Sequence, residues 1–240
     1  MELKTVKTRL VKEKGDLCKF VVESLRNAKK QFGKHSFAEV FNGSVVVISA
    51  KIVSLLEGNL VDLHTISFED LVKREADEII SDVNGCFLTR KNGILIPNAG
   101  VDRSNVPDGY AIPWPKEPQK AADMVRLELL REFKIESFGV VVTDSRVTPG
   151  RRGTTGVALA WSGFVGVVDE RGEDDLFGSQ LKLTQRAIAD NLASSALCVM
   201  GEAAECTPIV LIGNAPVTFL DGVSIKNEAI IDKKDDLFGF

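Results

Sequence analysis

The stretch SVVVISAKIVSLL, residues 44–56, constrains the fold more than any other part of the chain. β-Branched side chains crowd a helix and fit the pleated surface of a sheet. Its first half therefore reads as a buried strand, followed by a turn into a second segment. FGVVV at 138–142 and CTPIVLIG at 206–213 read as buried strands too, and residues 156–164 and 165–168 are further strand candidates. CFLTRKNGILIPNAG, residues 86–100, sets Asn92-Gly93 between two apolar runs, the pair suited to a type I′ hairpin turn. Helical spacing runs from Asp16, a plausible cap, to Ala28, with Leu17, Phe20, Val21 and Leu25 on one face. Ser67 and Asp70 resemble a capping box for a helix whose apolar face is Leu71, Ile79 and Ile80. The prolines of VPDGYAIPWPKEPQK, residues 106–120, impose an extended or looped path, and a helix carrying Met124, Val125, Leu127, Leu129 and Leu130 follows. The longest helical pattern spans Leu181 to Met200, through Ile188, Leu192 and Leu197. Helices alternating with hairpin-joined strands predict an α+β fold with mixed, largely antiparallel sheets. Residues 1–240 read as a single domain, or as two interleaved subdomains.

With 240 residues, 44% of them hydrophobic, a sizeable core is available. The net charge of −4 argues against a nucleic-acid partner. No apolar stretch approaches the ~20 residues that span a bilayer. The N-terminal MELKTVKTRLVKEKGD lacks the apolar core of a signal peptide, so a soluble cytoplasmic protein is expected. Cys18, Cys86, Cys198 and Cys206 show no C-x-x-C spacing and read as buried free thiols in a reducing compartment. His35 and His64 read as solvated or structural, which leaves little material for a Ser-His-Asp or Cys-His mechanism. The pentapeptide DDLFG occurs at 174–178 and 235–239, too short a match to make a repeat, and the charged tail from Lys226 reads as loosely held.

Three acids read as standing at element ends beside small or apolar neighbours: Asp102 in NAGVD after the strand through Ile94 to Ile96, Asp144 in VVTD at the tip of the FGVVV strand, and Glu202 in VMGE after the long helix. Were they to converge, two unit charges ~4 Å apart would repel by about 4 kcal/mol. A divalent cation removes that cost, and oxygen-only ligands, with the Ser145 hydroxyl added, suit Mg²⁺ or Mn²⁺. The alternative is that each acid caps a turn or pairs with Arg103, Arg146 or Arg151. In TDSRVTPGRRG, Arg151 and Arg152 follow Asp144 closely enough to hold a phosphate or a substrate carboxylate, or else form a solvated basic turn. No G-x-x-x-x-G-K-[ST] or G-x-G-x-x-G motif is present.

Taken in order, NAGVDRSN, TDSRVTPGRRGTTG, and the run from DDLFG through LAS to MGE resemble the γ-glutamyl ligases of coenzyme F420 biosynthesis, the CofE family. SAKIVSLLEGN is similar to that family's strand-turn, and the likeness covers about residues 5 to 215. The resemblance implies an α+β fold peculiar to the family, an intertwined homodimer, and a GTP- and metal-dependent joining of L-glutamate to a carboxylate-bearing cofactor precursor through an acyl phosphate. It implies Asp102 and Asp144 as ligands of one Mg²⁺ or Mn²⁺ ion, and Ser145 and Glu202 as ligands of a second. Nucleotide contacts would come from Leu10, Ser49, Ala50, Asn105, Met200, Gly201, Ala203, Ala204 and Thr207. A catalytic role for Arg151 and Arg152 is an inference from the motif, not from the resemblance.

The family pattern breaks in places. Where the family reads S-K-x-E-G-R, this chain has Ser54-Leu55-Leu56-Glu57-Gly58-Asn59, so a nucleotide-contacting lysine is replaced by Leu55. The acidic D-P-D-x-S loop becomes Glu117-Pro118-Gln119-Lys120-Ala121, G-R becomes Val147-Thr148, and G-L-P becomes Thr8-Arg9-Leu10. Three functions stay open: a glutamyl ligase acting on the F420 precursor or on another acceptor such as a folate; a non-catalytic nucleotide- or cofactor-binding relative; and a metal-dependent phosphohydrolase.

Overall fold

The computed structural model of the chain describes residues 1–33, 36–221 and 229–238. In chain order the elements are β1 (Glu2–Val6), α1 (Leu17–Asn27), α2 (Phe37–Phe41), β2 (Ser44–Ser49), α3 (Ala50–Glu57), β3 (Val61–Asp62) and α4 (Phe68–Glu75). Then come β4 (Glu78–Val83), β5 (Cys86–Lys91), β6 (Ile94–Pro97), β7 (Tyr110–Ala111), α5 (Pro118–Phe133), β8 (Phe138–Val147) and β9 (Thr154–Ser162). The last are β10 (Val167–Asp169), β11 (Gln185–Ala187), α6 (Ile188–Met200) and β12 (Ile209–Gly213).

The main sheet has five strands in the order β1-β12-β2-β8-β9. Neighbours are antiparallel except β2 and β8, which run parallel from Ser44 opposite Phe138 to Ser49 opposite Thr143. Val46, Ile48, Val140 and Val142 enter a core with Phe20 and Leu25 of α1 and Val125 and Leu129 of α5. Val45, Val47 and Val141 enter a second core with Leu192, Ala193 and Ala196 of α6. Strands covered on both faces need apolar side chains at consecutive positions, which is why SVVVIS and FGVVV lack alternation. Each such side chain contributes about 1.5–3 kcal/mol by burial. A smaller sheet, β4-β5-β6, packs with α4 around Leu71, Val72, Phe87 and Ala99. Its hairpin turns at Asn92 (φ 51°) and Gly93 (φ 80°), pairing Lys91 with Ile94 as a type I′ turn does. The fold is α+β with largely antiparallel sheets, as expected.

Asp16 caps α1 by accepting the Lys19 N–H, and Ser67 caps α4 by accepting that of Asp70. The segment after Ser49 is a helix, α3, closed by Gly58 at φ 79°. Ile79 and Ile80 belong to β4 and not to the α4 face, because the Asp77 N–H already bonds Arg90 and draws the chain into the sheet. The expected helix from Leu181 begins only at Ile188: residues 185–187 pair with β10, and Leu183 is 87% exposed. Among the described residues the longest helix is α5, with 16 residues. The first DDLFG lies in the exposed excursion between β10 and β11. The second reaches Gly239, outside the described residues, as are His35 and residues 226–228 of the tail. His64 is exposed and bonded to Asp62 at 2.8 Å. All four cysteines are free thiols, but they are not buried as expected: Cys18 is half-buried, while Cys86 at the β4–β5 turn and Cys198 and Cys206 at and beyond the end of α6 are exposed. Among the described residues no helix is long and apolar enough to cross a membrane.

Candidate active site

The carboxyl ends of the parallel pair β2 and β8 meet the loop after α6 around a cavity of about 400 Å³. Asp102, Asp144, Ser145 and Glu202 all line it. Asp144 is not at a strand tip. It sits inside β8, which runs on to Val147 because residues 143–147 pair with β9. The register shifts between Val142 and Thr143, an irregularity of the kind that re-aims side chains beside a site.

The carboxylates are held individually. Asp102 Oδ2 accepts from Lys51 Nζ at 2.6 Å, and its other oxygen accepts from the Ser104 N–H at 2.7 Å. Burial pushes the Asp102 pKa up, but Lys51 and Ser104 outweigh it and leave it below the ordinary value. Asp144 Oδ2 accepts from Trp114 Nε1 at 2.6 Å. Burial dominates here and raises the pKa to about 6, against the pull of Trp114, the Ser145 backbone and Lys51, with Asp102 adding to the rise. Asp102 and Asp144 thus feel each other across the cavity wall. Glu202 accepts from Thr154 Oγ1 at 3.0 Å. Of the alternatives weighed, turn capping holds for Asp102, which accepts the N–H of Ser104 two residues on, whereas the arginine pairings do not occur: Arg103 lies over the Phe68 ring, Arg146 pairs with Asp190 and Arg151 is exposed in the turn after β8. Among the described residues no three His, Cys, Asp or Glu side chains form a ready metal cluster. The donor chemistry is nonetheless that of a hard cation, carboxylate and hydroxyl oxygens with no thiolate or imidazole among the expected ligands. The part of the Asp144 desolvation that Trp114, the Ser145 backbone and Lys51 leave uncompensated is what a nearby positive charge would offset.

The expected nucleotide contacts sort cleanly. Leu10, Ser49, Asn105, Met200, Gly201, Ala203, Ala204 and Thr207 line the cavity. Asn105 Nδ2 donates to the Ala203 carbonyl at 2.9 Å, and Thr207 Oγ1 donates to that of Met200 at 2.6 Å, fixing the loop after α6. Ala50 does not line the cavity, because as the first residue of α3 it turns into the core. Nor do Arg151 and Arg152, which are exposed in the turn between β8 and β9. The extra strand residues 145–147 carry that turn roughly 10 Å beyond Asp144 at about 3.3 Å per residue. The cations that do line the cavity are Lys51 and Arg9, neither singled out from the sequence. Lys51 could have been found had Ser49 been read as the entry to a helix, which puts the lysine in the first turn, close to the strand ends.

A profile of the family described as F420-0:γ-glutamyl ligase matches residues 5–214. Coenzyme F420:L-glutamate ligase of Methanocaldococcus jannaschii is 37% identical, covering 82% of this chain and 85% of that protein. The protein of the same name from Methanococcus maripaludis strain S2 is 35% identical, over 81% and 84% respectively. That of Halobacterium salinarum strain R1 is 32% identical, over 73% and 76%.

Proposed function

This chain belongs to the F420-0:γ-glutamyl ligase family, a family of enzymes, and on that premise we propose that it joins L-glutamate to a carboxylate-bearing coenzyme F420 precursor, using GTP and a divalent metal. The observation that carries the reading is the shared cavity. Four oxygen-bearing residues from distant parts of the chain, Asp102, Asp144, Ser145 and Glu202, line it together with Ser49, Asn105 and the loop after α6.

In this reading Asp102 and Asp144 would hold one Mg²⁺ or Mn²⁺ ion, and Ser145 and Glu202 would hold a second. Bound there, divalent ions offset the charge that develops on the phosphate oxygens. Lys51 stands ready to give a triphosphate oxygen the bonds it now makes to Asp102 and to Ser104, the latter at 2.9 and 3.0 Å. The first turn of α3, entered at Ser49, adds the partial positive charge of a helix N-terminus to the same wall. A carboxylate oxygen of the acceptor attacks the γ-phosphorus and GDP leaves. The glutamate amine then attacks the acyl carbon, the C–O bond breaks, phosphate departs with the electron pair, and the surplus ammonium proton passes to solvent. No side-chain nucleophile and no histidine is needed. The protein works in the cytoplasm as a homodimer, and Leu176 (99% exposed) and Phe177 (94% exposed) form the apolar point that a second copy covers.

One observation favours a second reading. Leu55 lines the cavity where the family carries lysine, which suits a relative that binds nucleotide without ligation or that serves another acceptor, such as a folate. Incubation with GTP or ATP, Mn²⁺, L-glutamate and a panel of carboxylate acceptors, followed by mass spectrometry, separates the readings. An acceptor heavier by one glutamyl residue supports the ligase. Nucleotide consumed without an amide product marks a phosphohydrolase, and binding without turnover marks the binding relative.

A further inference from the structure

We propose that Trp114 is a positioning residue for the cavity: its indole N–H pins one oxygen of Asp144 so that the other is presented to a divalent cation. The inference rests on the cation-dependent reading above. Trp114 is 5% exposed and does not line the cavity, so it stands behind the carboxylate. An indole nitrogen is a donor only, and leaving it buried without an acceptor costs free energy. Here that acceptor is Asp144 Oδ2 at 2.6 Å, at the short end for a bond to a charged oxygen.

The approach is built on every side. Gly100, at φ +68°, faces the indole edge, and a Cβ there would lie 2.2 Å from Trp114 Nε1. Only glycine both adopts that backbone and leaves room for the ring. The prolines Pro113 and Pro115 flank Trp114, and the Pro113 carbonyl accepts from Ser54 Oγ at 2.6 Å. That bond ties the tryptophan to α3, the helix that carries Lys51. Lys91 Nζ lies over the indole ring, 5.7 Å from its centroid, and is itself held by Glu75 at 2.8 Å. Packing alone does not impose this contact. The other tryptophan, Trp161, is equally buried, and its Nε1 has no hydrogen-bond partner among the described residues. With Trp114 on one side and the Ser145 backbone N–H on the other, the Asp144 carboxylate is held in one orientation and meets a cation from a fixed direction. Losing such an orienting partner typically weakens metal binding by about 10- to 100-fold.

The test uses the full chain and Mg²⁺ alone. Calorimetric titration of the wild type, Trp114→Phe and Trp161→Phe should show cation binding weakened about 10- to 100-fold in Trp114→Phe only. In parallel, the ¹⁵N-labelled indole resonance of Trp114, the one missing from the Trp114→Phe spectrum or, should that variant not fold, the one retained in Trp161→Phe, should shift on saturation with Mg²⁺ and stay still in Asp144→Asn. The shift is read without altering Trp114. Wild-type binding with unchanged affinity in a folded Trp114→Phe, or an indole resonance blind to bound Mg²⁺, overturns the inference and leaves the ligase reading standing. A wild type that binds no divalent cation overturns both.

Discussion

Replacing Asp144 by asparagine should stabilise the cation-free protein while destroying its activity, and the size of the gain should depend on pH. The Asp144 pKa is raised from 3.8 to about 6, chiefly by burial. A carboxyl whose folded pKa is raised opposes folding above that pKa. The penalty fades as pH falls through 6 and is gone below the unfolded value. At pH 8 it amounts to about 3 kcal/mol, since each tenfold loss of acidity on folding costs about 1.4 kcal/mol. At pH 5 it has fallen to about 1.6 kcal/mol. Asparagine is neutral throughout and keeps an acceptor for the Trp114 N–H. Urea unfolding in EDTA, followed by circular dichroism, should therefore show the advantage of Asp144→Asn over wild type shrinking by about 1.4 kcal/mol between pH 8 and pH 5. Taking the difference between two pH values cancels every effect of the substitution that does not titrate. A pH-independent difference, or a variant less stable at pH 8 than at pH 5 relative to wild type, would refute the claim that this carboxylate is poorly solvated in the empty cavity.

Lys51→Met should let the Asp102 pKa rise from its lowered position and weaken GTP binding by about tenfold or more, the worth of one charge-assisted hydrogen bond. Carboxyl NMR titration and calorimetry read the two effects, and unchanged GTP affinity would remove Lys51 from the phosphate site. Leu55 lines the cavity but is only 8% exposed, so Leu55→Lys should lower the melting temperature without nucleotide and, by restoring the family's charge, tighten GTP binding about tenfold through a charge-assisted bond to phosphate. No change would mean that Leu55 lies off the phosphate path. The double variant Leu176→Ser with Phe177→Ser should sediment as a monomer, with a melting temperature that no longer rises with protein concentration. A persistent dimer would place the interface elsewhere.

The strands carrying the core were legible because burial on both faces demands unbroken β-branched runs, and β2 and the first half of β8 have them. The caps Asp16 and Ser67 and the turn Asn92-Gly93 were legible because each answers a local backbone need. Elements fixed by partners distant in sequence were not. Ile79 and Ile80 keep a helical spacing from Leu71, yet pairing with β5 takes them into a strand. Leu181 extends the apolar pattern of α6, yet pairing between β10 and β11 ends that helix early. The same holds in the site. Asp102, Asp144 and Glu202 stand out as acids among small or apolar neighbours, and the family likeness supplied the residues around them. Lys51 and Trp114 meet those acids only through the tertiary fold, one hidden in an apolar run and the other in a proline-rich stretch. Of the two readings of Arg151 and Arg152, the exposed basic turn is the one whose placement is seen, because the reach of β8 depends on where β9 begins.

The place where a cation binds is the most direct test. Crystals grown with Mn²⁺ and a non-hydrolysable GTP analogue should show anomalous density within coordination distance of Asp102, Asp144, Ser145 and Glu202, with the triphosphate between those residues and Lys51. Manganese found away from these side chains, or the nucleotide seated outside the cavity, would contradict the ligase reading.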